Sequence, residues 1–134
     1  MRLVVDTGVF SAALSRHRPS SFDHSVASLR GNQLFLAPTT VAELRYGALV
    51  AGWGPRRRAR LEDSIAATTI VPVTDALLTT MAELRWACRQ AGHPLASPVH
   101  GNDLWIAATA VHLHETLVTA DRAFADVPGL SLAS

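Results

Sequence analysis

Lysine is absent from this chain of 134 residues, and all twelve basic residues are arginine. Walker-type phosphate-binding loops end in lysine, and phosphoaspartate proteins of the haloacid dehalogenase and receiver types also need one, so the sequence argues against all three classes. Gly8 stands where a dehalogenase-type phosphatase would carry its second acid. The Gly-x-Ser-x-Gly turn of α/β hydrolases is missing as well. Nothing in the chain therefore indicates a phosphoryl-enzyme or serine nucleophile.

The chain also has a single cysteine, no long apolar segment and a small net charge. The single Cys88 cannot form a disulfide within the chain, which favours a reducing compartment, and its helical setting indicates a packed thiol. No uncharged apolar stretch reaches the roughly 20 residues of a membrane helix, and Asp6 interrupts the apolar run near the N-terminus. A net charge of +1 does not indicate a nucleic-acid binder. We expect a cytoplasmic protein that makes no membrane contact.

The apolar content, 49% of the residues, is sufficient for a sizeable core, and the length fits a single domain over residues 1–134. Strands are expected at residues 2–5, 33–37, 70–73 and 116–119, with a fifth at 130–132, and helices at 7–15, 22–30, 40–50, 56–67, 75–91 and 103–114. Thr74 and Asn102 are the expected N-caps of the last two helices. This alternation predicts parallel βαβ units in a three-layer α/β/α domain with a central parallel sheet of four or five strands.

Four acidic residues stand at strand ends or helix starts: Asp6, Glu43, Asp103 and Asp121. Because ligands of open parallel sheets sit at the carboxyl ends of the strands, we expect Asp6, Glu43 and Asp121 to meet at one edge, which Asp103 joins only if its helix start is turned toward that edge. Clustered carboxylates repel one another and raise one another's pKa, so such a cluster is stable chiefly with a cation in it. Donors that are all oxygen suit Mg²⁺ or Mn²⁺. The acids therefore predict a divalent-metal site.

Each of these acids also has an ordinary structural interpretation. Asp6 can cap the helix that follows it, and Asp121 can stabilise a turn. Thr40 and Glu43 have the spacing of a capping box. Asp103 sits where a negative charge favours the helix dipole. Taken singly, none of the four therefore identifies a site.

The six histidines do not form a competing metal site. His112 and His114 are two positions apart on a helix and point to different faces. The other four, His17, His24, His93 and His100, lie in or near loops without ligand spacing. Zinc-dependent hydrolysis is therefore not expected.

Five blocks of the sequence together resemble PIN-domain proteins, and in particular the VapC toxins of bacterial type II toxin–antitoxin systems. The blocks are VVDT at 4–7, TVAELRYG at 40–47, NDLWIAATA at 102–110, LVTADRAF at 117–124 and VPGL at 127–130. They occur in order and cover nearly the whole chain. The combination of Asn-Asp-x-x-Ile-Ala-Ala with the ending Thr-x-Asp-x-x-Phe and Val-Pro-Gly-Leu is rather specific. One departure is Ala120, where the family often has asparagine.

The resemblance implies a PIN fold, endoribonuclease activity, and Mg²⁺ or Mn²⁺ as cofactor. It also implies a homodimer and neutralisation by a cognate VapB-type antitoxin. By the same resemblance the catalytic and metal-binding set is Asp6, Glu43, Asp103 and Asp121, with Asp6 and Asp103 as direct ligands. Thr119 and Thr7 would orient a carboxylate or a metal-bound water, although Thr7 fits a packed helix start equally well.

The densest basic run, at residues 56–60, predicts contacts with RNA phosphates through Arg56, Arg57 and Arg58. Further candidates nearer the expected site are Arg16, Arg18 and Arg45. A solvated helix start or a contact with a partner protein explains the same run. Two alternatives to the ribonuclease remain open from sequence: a non-catalytic PIN-like module that binds RNA or protein, and a DNA-directed nuclease with similar metal chemistry.

Overall fold

A parallel four-stranded sheet forms the centre of the protein, with the spatial strand order β3-β2-β1-β4. The computed structural model describes all 134 residues. The strands are β1 (Arg2–Val5), β2 (Gln33–Leu36), β3 (Thr69–Ile70) and β4 (Thr116–Val118). The helices are α1 (Thr7–Leu14), α2 (Asp23–Ala27), α3 (Pro38–Val50), α4 (Pro55–Ala66), α5 (Asp75–Ala91) and α6 (Gly101–Leu113). Single-turn 3₁₀ helices lie at Ser20–Phe22, Pro94–Ala96, Pro98–His100 and Arg122–Phe124.

Two hydrophobic clusters cover the two faces of the sheet. Successive strand side chains point to opposite faces, so Leu3 and Val5 of β1 pack into one cluster and Val4 into the other. The first cluster includes buried residues of α1, α3 and α4, and the second includes buried residues of α5 and α6. Helices therefore cover both faces, and the predicted three-layer α/β/α fold is confirmed.

Strands β1 and β4 end side by side at the edge where the acids were expected. Val5 lies opposite Val118 in the parallel register of β1 and β4. The backbone of Asp6 extends this ladder by one bond, its N–H donating to the Val118 carbonyl at 3.1 Å. Thr119 follows Val118 directly. The sheet thus places Asp6 and Thr119 next to each other.

Helices α3 and α6 begin two residues earlier than expected. Helix α3 begins at Pro38 with Ala37 as its N-cap, two residues before Thr40, because proline suits a first helical turn. Helix α6 begins at Gly101 after His100, so Asn102 is not its cap. The prediction of Thr74 as the cap of α5 is confirmed, since its hydroxyl accepts from the Leu77 N–H at 3.2 Å.

Several other boundaries differ from the prediction. Strand β3 spans only Thr69 and Ile70, so of the predicted residues 70–73 it contains Ile70 alone, because Pro72 has no N–H to donate to a ladder. The expected fifth strand is reduced to one parallel bridge between Leu117 and Leu132. The second predicted helix, 22–30, is the shorter α2, and the predicted loop at 93–101 contains two 3₁₀ turns. None of the helices combines the length and apolar character that a membrane crossing needs.

Candidate active site

Asp6 joins the end of β1 to the start of α1, and its carboxylate is fixed from two sides. Oδ1 accepts from the Val9 N–H at 2.8 Å, which caps α1 as the sequence allowed. Oδ2 accepts from the Thr119 hydroxyl. Only 5% of Asp6 is exposed. Because each carboxylate oxygen has two lone pairs, both oxygens keep one for a further partner.

Thr119 connects Asp6 to Asp121. Its hydroxyl donates to Asp6 and accepts from the Asp121 N–H at 3.0 Å. Asp121 in turn caps the 3₁₀ turn that follows, with Oδ1 accepting from the Ala123 N–H at 2.9 Å. The turn role foreseen for Asp121 and its place beside Asp6 therefore coexist. One threonine hydroxyl thus links the Asp6 carboxylate to the backbone of Asp121.

Glu43 does not cap its own helix, so the capping-box interpretation is wrong. Helix α3 already begins at Pro38, which places Glu43 well inside it. The Thr7 hydroxyl instead donates to Glu43 Oε1 at 2.9 Å and also lies 3.1 Å from the hydroxyl of Thr40. Thr7 thus ties Glu43 to the chain segment that carries Asp6.

One open cleft of about 720 Å³ collects the four predicted acids. Its lining residues are Asp6, Thr7, Gly8, Phe22, Glu43, Asp103, Ile106, Ala120, Asp121 and Arg122. Asp103 arrives from the first turn of α6, as expected, Glu43 comes from within α3, and Asp6 and Asp121 follow the ends of β1 and β4. Residues distant in sequence are therefore brought together at a single surface of the protein.

Burial and mutual repulsion act on two of these carboxyls. Burial is the main cause that raises the pKa of Asp6, and the nearby charges of Asp121 and Asp103 raise it further. The hydrogen bonds from Thr119 and Val9 oppose this rise. The pKa of Asp103 is raised by burial and by Asp121, against a lowering by His100. The fold therefore holds these carboxylates close together although burial and mutual repulsion disfavour their charged forms.

This donor set fits a hard divalent cation. Carboxylate oxygens are the ligands that Mg²⁺ and Mn²⁺ prefer, and a cation relieves the repulsion that raises the two pKa values. No three His, Cys, Asp or Glu side chains lie close enough to hold one ion as they stand. Magnesium commonly takes only one or two protein carboxylates and keeps several waters. The cleft meets that requirement without a complete cage of side chains.

The raised pKa values predict an unusual dependence of stability on pH. A carboxyl whose pKa is higher in the folded state than its ordinary value of 3.8 stabilises the fold below that value and loses the contribution as pH rises through the folded pKa. In EDTA, Asp103→Asn should therefore gain thermal stability relative to the natural protein as pH rises from about 4 to neutral. Melting curves across this range test it. Parallel curves for the two proteins would contradict the assignment of repulsion to Asp103.

The arginines predicted to contact RNA are divided between different surfaces. Arg45 is held by Glu62, with Nη2 to Oε1 at 2.8 Å and Nε to both oxygens at 3.2 Å. It lines a groove between α3 and α4 together with Arg58. Arg57 lines a separate cavity, and Arg56 is exposed at the start of α4. None of these arginines lines the acidic cleft.

Sequence reasoning missed one cation at the cleft. Arg122 is exposed and lines the cleft directly after Asp121, yet no ion pair joins it to any of the four acids. Its side chain is available for an anionic ligand. The position of Arg122 directly after Asp121 could have indicated it, but the resemblance implied roles for the acidic residues only.

Known proteins resemble this chain in both sequence and structure. A PIN domain family model matches residues 3–130. Ribonuclease VapC5 of Mycobacterium tuberculosis is 33% identical over 128 residues, which covers 94% of this chain and 87% of the relative. Ribonuclease VapC2 of Rickettsia felis is 25% identical over 133 residues, covering 98% and 96%. A chain of the Rickettsia felis VapBC2 complex, solved with a DNA fragment from its promoter, superposes with a TM-score of 0.79 at 25% identity over 99% of this chain and 98% of that one.

Proposed function

The chain belongs to the PIN domain family, with VapC ribonucleases among its relatives, and from this premise we propose that it is a toxin endoribonuclease. It hydrolyses phosphodiester bonds of RNA with a divalent cation, Mg²⁺ or Mn²⁺, and a VapB-type antitoxin neutralises it. The observation that carries the proposal is the convergence of Asp6, Asp103 and Asp121, with Glu43, on one cleft. Relatives named ribonucleases supply the substrate class.

We assign the cation to Asp6 and Asp103, with Glu43 and Asp121 as ligands directly or through water. When bound, such a cation activates water for attack on phosphorus and offsets negative charge in the transition state. Asp6 contributes a carboxylate that Val9 and Thr119 hold in one orientation. The Thr7 hydroxyl does the same for Glu43. The chain therefore supplies a largely preorganised set of oxygens.

Arg122 has a role in binding the substrate. It is the only positively charged side chain among the residues that line the cleft. A phosphodiester entering an acidic cleft is repelled, and a guanidinium at its edge compensates by donating two parallel hydrogen bonds to phosphate oxygens. We propose that Arg122 orients the scissile phosphate against the carboxylates. It moves no proton, because a guanidinium does not deprotonate.

The test of the proposed function is cleavage of purified RNA. The protein is incubated with total RNA in Mg²⁺, in Mn²⁺ or in EDTA, and new ends are mapped. We expect new ends with either cation and none in EDTA. Single-stranded DNA of matched sequence serves as a second substrate. Cleavage of DNA alone would favour the DNA-directed nuclease, and no metal-dependent cleavage of either would favour the non-catalytic binding module.

Thr119 is expected to act as a positioning residue. Thr119→Val keeps the volume but removes the hydroxyl that joins Asp6 to Asp121, so cleavage should fall about 10- to 100-fold, with most of the loss in kcat. Thr119→Ser keeps the hydroxyl and should restore most of the rate. The concentration of Mn²⁺ needed for half-maximal activity separates positioning from a folding defect, and should rise for the valine variant alone. An unchanged metal requirement would contradict this role.

An exposed apolar strip on α3 supports the antitoxin proposal. Tyr46, Leu49 and Val50 are 63–69% exposed and share one helix face. Apolar strips of this kind commonly receive an amphipathic partner helix. Val9 and Phe10 of α1 are buried in the core and are unavailable to a partner. Co-purification with the product of an adjacent small reading frame tests the pairing, and Leu49→Glu should weaken it.

A homodimer is the remaining partner proposal, and it comes from the family resemblance. Light scattering of the purified chain over a range of concentrations measures the mass directly. We expect twice the 14.3 kDa of one chain. A mass of one chain at every concentration would contradict the dimer while leaving the nuclease proposal intact.

A further inference from the structure

A second polar cavity lies at the opposite end of α1 from the acidic cleft, between that end and α4. It measures about 700 Å³, and its lining residues are Ala13, Leu14, Ser15, Arg16, His17, Arg57, Arg60, Leu61 and Ser64. We call it the arginine pocket. It contains three guanidinium groups and no acidic residue. None of the three arginines forms an ion pair within the protein. The pocket therefore carries a concentrated positive charge that the fold leaves uncompensated.

Two arginines of the basic run on α4 line the pocket. Arg57, Arg60 and Ser64 are spaced three and four positions apart, so they lie along one face of the helix. Arg58 turns to the groove shared with Arg45. The helical spacing therefore directs two guanidiniums toward the end of α1.

The position of these arginines on α4 opposes helix stability. The N-terminal end of a helix carries positive partial charge, which favours acidic residues in the first turn. Helix α4 has no acid there and no side chain capping its N-terminus, and it begins with Pro55 followed by three arginines. Arg16 and His17 follow the C-terminal end of α1, where cations are favourable, but this does not account for α4. Local rules broken at a site are commonly a sign of ligand binding.

One of the guanidiniums is held in place. Arg57 stacks on the ring of Trp53, with 3.8 Å between its Cζ and the ring centroid. Trp53 is half-buried and packs against the core cluster under α4. Stacking occupies the face of the guanidinium and leaves its N–H edges free to donate in the plane. Such a pre-oriented edge matches the paired oxygens of a phosphate.

We propose that the arginine pocket binds a phosphate of the RNA strand away from the bond that is cut. The proposal rests on the proposed ribonuclease function, since it assigns the path of that substrate. Gly8 lines the acidic cleft and Leu14 lines the arginine pocket, six residues apart on α1, or about 9 Å along the helix axis. A strand a few nucleotides long spans that distance. The pocket thus retains a polyanion beside a cleft that repels it.

The experiment measures binding without cleavage. A short fluorescently labelled single-stranded RNA is titrated in EDTA, and anisotropy is followed over a series of salt concentrations. The test variant is Arg57→Gln/Arg60→Gln. The matched control is Arg30→Gln/Arg89→Gln, which removes the same charge from exposed positions outside both cavities. Circular dichroism verifies that both variants are folded, which is expected because all four side chains are exposed.

We expect the test variant to bind about tenfold more weakly at low salt and the control to stay within about twofold of the natural protein. The slope of log K against log salt should become shallower by about 0.7 for the test variant, since the contact with one phosphate of a single strand is lost. Equal affinities and equal slopes for the two variants would overturn the proposal. So would undetectable binding of RNA by the natural protein at low salt.

Two further measurements distinguish this proposal from the alternative of an acidic protein ligand and from the proposed nuclease activity. Labelled poly-glutamate is titrated in the same way, and weakened binding of poly-glutamate with unchanged binding of RNA would overturn the proposal in favour of an acidic protein segment. Cleavage in Mg²⁺ is measured with the same RNA, where the test variant should raise KM about tenfold and leave kcat nearly unchanged. Normal salt-dependent binding through the arginines without any cleavage would contradict the nuclease and support the pocket.

Discussion

Asp103→Asn is expected to lower the rate of metal-dependent RNA cleavage by about a thousandfold, equivalent to about 4 kcal/mol of barrier. The change keeps the shape of the side chain and removes one of the charges that hold the cation. Asp103 contributes a half-buried carboxyl from the first turn of α6, and no hydrogen bond within the protein depends on it. The loss should therefore appear in catalysis and metal affinity, and not in folding.

The control for this prediction is Asp126→Asn. Asp126 is exposed and lies outside the cleft, and its backbone has φ of 62°, a conformation that asparagine also tolerates. This variant should cleave RNA at nearly the natural rate. In EDTA, Asp103→Asn should be at least as stable as the natural protein, because one source of repulsion is gone. Cleavage by Asp103→Asn at the natural rate would remove Asp103 from the catalytic set.

Phe124→Ala is expected to lower the free energy of unfolding by about 3–5 kcal/mol. Phe124 is 1% exposed and ends the 3₁₀ turn that begins after Asp121. Its ring packs into the core cluster on the α5 and α6 side of the sheet. Removing the ring leaves a cavity there and loosens the turn that Asp121 caps. Activity should therefore fall together with stability.

Urea unfolding measures this loss. Tyr46→Ala is the matched control, because Tyr46 is 69% exposed and its removal should cost less than about 0.5 kcal/mol. Phe124→Leu should lie between the two, since leucine fills part of the space. A loss below about 1 kcal/mol for Phe124→Ala would show that this turn is not anchored by its aromatic ring.

The arrangement of strands and the location of the acids were predictable because both follow from strong local patterns. Arg2–Val5 and Thr116–Val118 are short β-rich segments followed by polar residues, and parallel pairing brings their ends to one edge. Asp6 was therefore foreseen at that edge. Asp103 needed the family resemblance, because the direction in which a helix start faces depends on packing and not on local sequence.

The partners of Glu43 could not be predicted, for a physical reason. Thr40 and Glu43 have capping-box spacing, but Pro38 starts the helix two residues earlier and takes the first-turn position. Glu43 is then free for a hydroxyl 36 positions away, that of Thr7. Competition between two possible helix starts is decided by small energies that tertiary packing overrides. The prediction of Asn102 as the N-cap of α6 was wrong for the same reason, because the helix begins one residue before it, at Gly101.

The sequence did not show which surface each arginine of the basic run would face. Arg56, Arg57 and Arg58 look equivalent as letters, yet helical geometry sends Arg57 to the arginine pocket and Arg58 to the groove with Arg45. The pairing of Arg45 with Glu62 joins α3 to α4, and this contact depends on how the two helices pack. Sequence spacing predicts which residues share a face, but not what that face meets.

We propose above that Asp6 and Asp103 hold a divalent cation in one cleft with Glu43 and Asp121. A crystal grown with Mn²⁺ and measured near the manganese absorption edge tests this claim most directly, because the anomalous signal locates the metal independently of activity. We predict anomalous density in the cleft within bonding distance of the Asp6 and Asp103 carboxylates, and none there in Asp103→Asn. Manganese bound only at other sites, or an unchanged peak in Asp103→Asn, would contradict it.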